Sequence, residues 1–170
     1  MNYIHFQRKS KILIEKLPEL EDFQKSLILN NWIEFIVHLE QRTNLNYRIY
    51  LTLTIFSIVG GISIPAINSL SFFSDNWIDW LITIIGIITA VSISLNASLK
   101  FNEKWRHFRR LAEYARIEGE NYFSLIDKLY DGKTYQESFP IFMRRLGEIK
   151  ELEINLYFES IKNKSQDKND

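Results

Sequence analysis

Charged residues are distributed very unevenly along this chain. Between Ile49 and Leu99 only Asp75 and Asp79 carry a charge, and both lie in a short polar break between two long apolar runs. A helix rises about 1.5 Å per residue, so each run is long enough to cross a hydrocarbon layer roughly 30 Å thick. The pattern predicts a transmembrane hairpin over residues 49–99, with spans at about 50–73 and 80–99.

The N-terminal flank, residues 1–48, predicts amphipathic helices. Residues 3–17 mix apolar and basic side chains at helical spacing, and Pro18 disfavours continuation of that helix. From Glu19 onward apolar residues again recur at roughly helical spacing, with charged residues between them. This second helix leads directly into the first span.

The C-terminal flank predicts a helical hairpin over residues 100–161. No turn signal separates Leu99 from Asp131–Gly132, so we expect the second span to continue as one long helix beyond the membrane. Its apolar positions alternate by four and three, as in a coiled coil, and are smallest in the middle. This seam, which offers a means of assembling copies, consists of Phe101, Trp105, Phe108, Ala112, Ala115, Gly119, Tyr122, Ile126 and Leu129.

A returning helix is predicted after the turn. Thr134 and Glu137 have the spacing of a capping box, in which the two side chains satisfy free amides at a helix start. Residues 162–170 contain no apolar residue and are predicted to be a disordered tail. The predicted fold is therefore an all-α integral membrane protein, a two-span helical hairpin with N-terminal amphipathic helices and a long C-terminal cytoplasmic helical hairpin.

Composition excludes several function classes. The 170 residues include 21 basic and 21 acidic residues, so there is no basic excess of the kind that nucleic-acid binding requires. There is no cysteine, which excludes disulfides, thiolate zinc sites and cysteine nucleophiles. The three histidines, His5, His38 and His107, have no metal-ligand spacing, and no catalytic or phosphate-binding motif is present. We expect no enzyme activity, no metal and no cofactor.

Basic residues predict the orientation of the hairpin. They flank both runs on one side, and the loop from Ser74 to Asp79 has none. Because basic residues favour the cytoplasmic side, both termini are expected in the cytoplasm of a cell carrying this multi-pass protein in its plasma membrane. Aromatic residues suited to the two interfaces are Trp77 and Trp80 at the outer level, and Tyr47, Tyr50 and Trp105 at the inner one.

Small residues in both runs predict close helix packing. An antiparallel pairing about the loop places Gly61 near Ser92 and Ser57 near Asn96, and Pro65 predicts a kink in the first span. Small side chains also recur every four residues along the second span, at Gly86, Ala90, Ser94 and Ser98.

Polar residues in the spans are candidates for lining an ion path. Thr89, Ser92 and Asn96 share one face of the second span, and Thr83 and Asn68 lie nearer the outer end. Hydroxyl and amide groups can replace part of the hydration of an ion. Hydrogen bonding between helices is the alternative interpretation, and both remain open.

Charged residues beside the spans have two further interpretations. Asp75 and Asp79 would repeat symmetrically in a ring of subunits and attract permeant cations, although any solvated turn can carry two aspartates. The basic cluster is expected to bind anionic lipid headgroups, with a regulatory anion or intersubunit ion pairs as alternatives. It consists of Lys100, Lys104, Arg106, Arg109 and Arg110.

The chain resembles a group of bacterial two-span proteins, the SLATT family. The resemblance covers roughly residues 44–158 and rests on the order of a charged helix, two spans and the segment Lys104–Glu113 (KWRHFRRLAE), followed by Glu118–Phe123 (EGENYF). It implies an oligomeric membrane effector that forms a pore and depolarises the cell, and it brings no catalytic residues. The trigger of such an effector would be a partner or a small ligand, unless the pore is constitutively open.

These observations support two functional hypotheses. The first is a homo-oligomeric, cation-preferring pore in which the second span lines the path and the cytoplasmic helices drive assembly. The second is a membrane-anchored helical module that recruits a cytosolic partner or regulator.

Overall fold

The computed structural model describes residues 3–17, 19–69 and 76–166. Within these ranges the chain is helical, and the elements are α1 (Tyr3–Glu15), α2 (Asp22–Ile28), a π-helical turn (Leu29–Ile33), α3 (Glu34–Ser69), α4 (Asn76–Leu99), α5 (Phe101–Ser124) and α6 (Tyr135–Gln166). The chain forms two compact units, residues 42–106 and the two flanks taken together. We call them the hairpin unit and the flanking unit.

Local sequence explains where the helices of the flanking unit begin. The backbone N–H of Glu21 donates to Gln24 Oε1 over 3.1 Å at the start of α2. At the start of α6 the Glu137 carboxylate accepts from the Thr134 backbone N–H over 2.9 Å, and the Glu137 N–H donates to Thr134 Oγ1 over 3.2 Å. The predicted capping box is thus confirmed, and these bonds lower the pKa of the Glu137 carboxyl.

The core of the flanking unit is built around Trp32. A π-helical turn holds one extra residue per turn and shifts the phase of the helix, and here both Trp32 and Ile33 are buried. The Trp32 indole N–H donates to the Ala115 carbonyl over 2.7 Å, and its ring meets those of Phe6, Phe123 and Phe142 edge to face. Tyr122 stacks on Phe142 with ring centres 4.5 Å apart, extending the aromatic core.

The predicted long helix is interrupted, which corrects the expectation that the second span continues unbroken. Lys100 has φ 48°, in the left-handed region, so α4 ends at Leu99 and α5 starts at Phe101. The far end of α5 also comes earlier than Asp131–Gly132, because Leu125 has φ 51°. Asp127 then stabilises the turn, since its carboxylate accepts the Leu129 N–H over 3.2 Å.

The helix α3 continues through Pro65 to Ser69, and residues 70–73 of the predicted first span lie outside the described part of the chain. One further boundary differs from expectation. The helix α6 extends to Gln166, past the predicted start of a disordered tail at Lys162. Residues 162–166 contain no glycine or proline that would stop a helix already formed, and residues 167–170 lie outside the described part of the chain.

Candidate functional site

Among the described residues, two helices are long and apolar enough to cross a membrane. One is the continuous helical stretch Asp22–Ser69, and the other is Trp77–Leu99. In the most apolar window of each, only 6% of the residues are buried inside the protein. A core helix of a soluble domain would be mostly buried, so these helices have the exposed apolar surface that a lipid environment accommodates.

The predicted path-lining face of α4 packs inside the hairpin unit. Thr89 and Ser92 are only 9% and 4% exposed, and the Thr89 hydroxyl donates to the Ile85 carbonyl over 2.7 Å. Gly60 of α3 lies against Thr89, and its missing side chain leaves the space that Thr89 occupies. These contacts agree with the packing interpretation of this face.

Asn96 belongs to the same internal face. Its side-chain amide donates to Thr54 Oγ1 over 3.2 Å, which links the two helices of the hairpin. Its Oδ1 atom is buried and has no hydrogen-bond partner among the described residues. Asn96 therefore joins Thr89 and Ser92 between the two helices of one chain.

The pairing of the two helices differs from the expected register. Asn96 bonds to Thr54 instead of approaching Ser57, and Gly60 contacts Thr89, whereas nothing lies within 4 Å of the position of a side chain on Gly61. The shift is about one helical turn. The register of the two helices is set by the hydrogen bond from the Asn96 amide to the Thr54 hydroxyl and by the contact of Gly60 with Thr89. It is not the register obtained by pairing residues symmetrically about the loop.

The opposite face of α4 is small and partly hydroxylated. Ala90, Ser94 and Ser98 are exposed there. Of the predicted ladder only Gly86 lies near α3, because a Cβ atom on Gly86 would be 3.9 Å from Ile64 Cδ1. Thr83 is also exposed, and its hydroxyl donates to the Asp79 carbonyl over 2.8 Å. Large apolar side chains are exposed between and around these residues, among them Ile84, Ile87, Ile88, Val91 and Leu95.

The predicted outer-mouth residues are only partly described. Asp79 is exposed in the first turn of α4, and Asn68, which was predicted to line the path, is exposed near the end of α3. Asp75 lies outside the described residues. Of the outer aromatic residues, Trp77 and Trp80 are both strongly exposed, as interfacial side chains are.

The predicted basic cluster follows the break at Lys100. Lys104 Nζ lies 5.7 Å from the centre of the Phe101 ring, and the Arg106 guanidinium lies 5.6 Å from that of Trp105. Arg109 and Arg110 are exposed further along α5. Trp105 also meets Tyr47 edge to face with ring centres 5.3 Å apart, so two of the aromatics predicted at the inner interface lie together.

The small seam of α5 is filled within one chain. Ala112, Ala115 and Gly119 are buried, and the Trp32 ring occupies the place that a side chain on Gly119 would need. Close approach of another helix at this point is therefore confirmed. The helix that approaches comes from the same chain, so this part of the seam is not free to bind a second copy.

A buried ionic network in the flanking unit was not predicted from the sequence. Glu118 is buried, accepts from the Tyr130 hydroxyl over 2.5 Å, and lies 3.4 Å from Arg145 Nε. Burial and the Glu118 carboxylate together raise the pKa of Tyr130. The signal in the sequence is Glu118 itself, a charged residue beside Gly119 on an apolar seam.

A buried cation, Arg116, pairs with Glu40 of α3 and lies over the Phe6 ring at 5.1 Å. The network fits a structural role, because each buried charge has an opposite charge beside it. Among the described residues no group of His, Asp and Glu could hold a metal ion. His107 is partly buried next to Arg110, and both conditions lower its pKa.

A family model described as "Protein of unknown function (DUF4231)" matches residues 35–137. The chain belongs to this family. The DUF4231 match begins within the Trp32 core, includes both apolar helices and ends in the capping box of α6. No curated protein matches the chain, and no solved structure matches it. The family description assigns no activity.

Proposed function

We propose that this chain is an integral membrane protein whose α3 and α4 span the bilayer, with both termini in the cytoplasm. The exposed apolar surfaces of the two helices support insertion. The basic residues that flank the spans at Arg42, Arg48 and Lys100 support the orientation. Anionic headgroups are then the partners of the basic cluster on the inner side.

We further propose that several copies assemble into an ion-conducting pore. The observation that carries this proposal is the outward face of α4, where Thr83, Ala90, Ser94 and Ser98 interrupt an otherwise large and apolar exterior. Small residues allow close helix contact between copies, and hydroxyls facing a shared axis can replace water around an ion. A two-span chain encloses no conduit by itself, so assembly is essential to this function.

The lining proposed here replaces much of the one expected from sequence. Thr89 and Ser92 are buried inside the hairpin, whereas Thr83 and Ser94 are exposed on its outside. Asp79, with Asp75 beside it in the sequence, places negative charge at the outer end of each subunit and favours cations. The resemblance to the SLATT family is in keeping with an oligomeric membrane effector.

The test is ion flux through liposomes containing the purified chain. We expect cation flux from the wild type, a loss of at least tenfold in Ser94→Leu, and little change in Ile88→Leu, which alters an exposed apolar position on another side of the same helix. Absence of ion flux from the folded wild type, or flux in Ser94→Leu equal to that of the wild type, would overturn the proposal of a pore.

A second candidate is a membrane-anchored helical module. It is favoured by the internal use of Thr89, Ser92 and Asn96, which makes the hairpin a self-sufficient packed anchor. An anchor should tolerate the combined change Asn96→Leu, Asp75→Asn and Asp79→Asn without effect on the binding of a cytosolic partner. A pore should change its conductance or ion preference in the same variant.

A further inference from the structure

The side of α1 that faces away from its core combines apolar and basic residues. Ile12 and Leu13 are 49% and 47% exposed, whereas Ile14 and Leu17 of the same segment are buried. Lys9 and Lys16 are exposed about one turn before and one turn after the apolar pair. We call Lys9, Ile12 and Leu13, together with Lys16 directly after the last residue of the helix, the outer face of α1.

The side of α5 that faces away from Trp32 has the same arrangement with opposite charge. Tyr114 and Ile117 are 52% and 46% exposed, and Glu113 and Glu120 are exposed on the same side. Glu113 also lies 3.4 Å from Arg116 in its own chain, and Arg110 is exposed one turn before it. We call Glu113, Tyr114, Ile117 and Glu120 the outer face of α5.

The two outer faces have matching spacing. A single offset along the chain relates Lys9 to Glu113, Leu13 to Ile117 and Lys16 to Glu120. Two helices laid side by side in the same direction would therefore bring two opposite charge pairs together around one apolar contact. Charge complementarity of this kind selects a partner and fixes the register.

The flanking unit orients these helices suitably. Arg116 of α5 lies over Phe6 near the start of α1. Beyond the end of α1, Glu19 accepts from the Tyr135 backbone N–H over 3.1 Å, and the Tyr135 hydroxyl donates to the Phe123 carbonyl over 3.0 Å. Hence α1 and α5 run in the same general direction. Copies related by rotation about an axis along these helices keep the two faces parallel.

We propose that the outer face of α1 in one copy of this chain docks on the outer face of α5 in a neighbouring copy. The contact is heterologous, because two different faces meet, and repetition around an axis closes a ring. This contact rests on the assembly of copies that the proposed function requires. It assigns the interface between copies to helices outside the spans. It also explains how copies can assemble although the small seam of α5 is already filled by Trp32.

Disulfide cross-linking tests the contact directly, since the native chain has no cysteine. Leu13→Cys and Ile117→Cys are introduced into separate full-length chains, which are co-expressed in membranes and oxidised. We expect a cross-linked dimer that contains one chain of each kind, and little cross-linking of either variant with itself. Self-cross-linking of both variants, without the mixed dimer, would overturn the heterologous contact.

Charge reversal provides an independent readout of the same interface. Lys16→Glu and Glu120→Lys should each lower the yield of oligomer in mild detergent by about tenfold, because like charges then face each other. The two changes in one chain should restore assembly. Lys128→Glu, at another exposed cation, is the matched control and should leave assembly unchanged.

The remaining outcomes separate this inference from the pore. Intact oligomers and normal flux in Lys16→Glu and Glu120→Lys would overturn the α1–α5 contact while leaving the pore standing, with the spans as the site of assembly. Unchanged assembly together with weaker binding of Lys16→Glu to vesicles containing anionic lipid would instead identify a lipid surface as the partner of α1. Mixed cross-linking without ion flux would support the contact and contradict the pore.

Discussion

Gly119 shows how one residue determines the packing of the flanking unit. The Trp32 ring occupies the space where a side chain on this residue would lie, and the indole N–H is fixed by the Ala115 carbonyl one turn earlier. The ring is also held by three aromatic neighbours, so it has little freedom to retreat. Glycine is needed here for close approach and not for backbone conformation.

We therefore expect Gly119→Ala to destabilise the protein by about 1–3 kcal/mol, the typical cost of overpacking a core. Thermal or chemical unfolding in detergent, followed by tryptophan fluorescence, would measure the change. Gly147→Ala is the matched control, because nothing lies within 4 Å of the position of its side chain in α6. The control should be neutral or stabilising by up to about 1 kcal/mol, since alanine favours helix. Equal stability of Gly119→Ala and the wild type would contradict the packing described here.

At the scale of elements, the break between α4 and α5 depends on an unusual backbone conformation. Lys100 has φ 48°, a region that costs a residue with a side chain about 1–2 kcal/mol relative to glycine. The residue is exposed, so its side chain does not compensate by burial. The conformation is maintained from the α5 side, where the Glu103 and Lys104 N–H groups both donate to the Lys100 carbonyl.

Lys100→Gly should accordingly stabilise the protein by about 1 kcal/mol, measured as a shift of the unfolding midpoint in detergent. Lys100→Ala separates charge from conformation, because it removes the ammonium group but keeps the unfavourable φ. We expect no comparable gain from that control. A gain of the same size in both variants would attribute the effect to charge and not to backbone strain.

The elements that sequence reasoning predicted well are those with a local physical cause. The two long apolar helices follow from long uncharged runs, and the start of α6 follows from Thr134 and Glu137, whose side chains bond to backbone within one turn. The break at Lys100 has no such signal, since neither glycine nor proline is present there. The sequence left open whether Thr89 and Ser92 pack against α3 or line a path, because Ser94 and Ser98 on the opposite side of α4 are also small and hydroxylated.

At the scale of the whole molecule, the two units differ in where they place their large apolar side chains. The flanking unit has a core of aromatic and aliphatic residues, and its ion pairs are partly enclosed. The hairpin unit instead exposes its large apolar residues and buries Thr89 and Ser92. The first arrangement suits water and the second suits lipid, where polar groups are best satisfied within the protein. The contrast supports the proposal that the flanking unit lies in water and the hairpin unit in lipid.

The proposed topology can be tested by labelling, because the native chain has no cysteine. Ser74→Cys lies in the predicted outer loop, and Lys133→Cys lies in the exposed turn before α6. A membrane-impermeant maleimide should label Ser74→Cys in intact cells, and Lys133→Cys only after the cells are permeabilised, because the basic flanks of the spans keep the flanking unit in the cytoplasm. Labelling of both variants in intact cells would contradict this topology, and labelling of Lys133→Cys alone would invert it. Inversion would also remove the argument for cation preference, since Asp75 and Asp79 would then lie at the inner mouth.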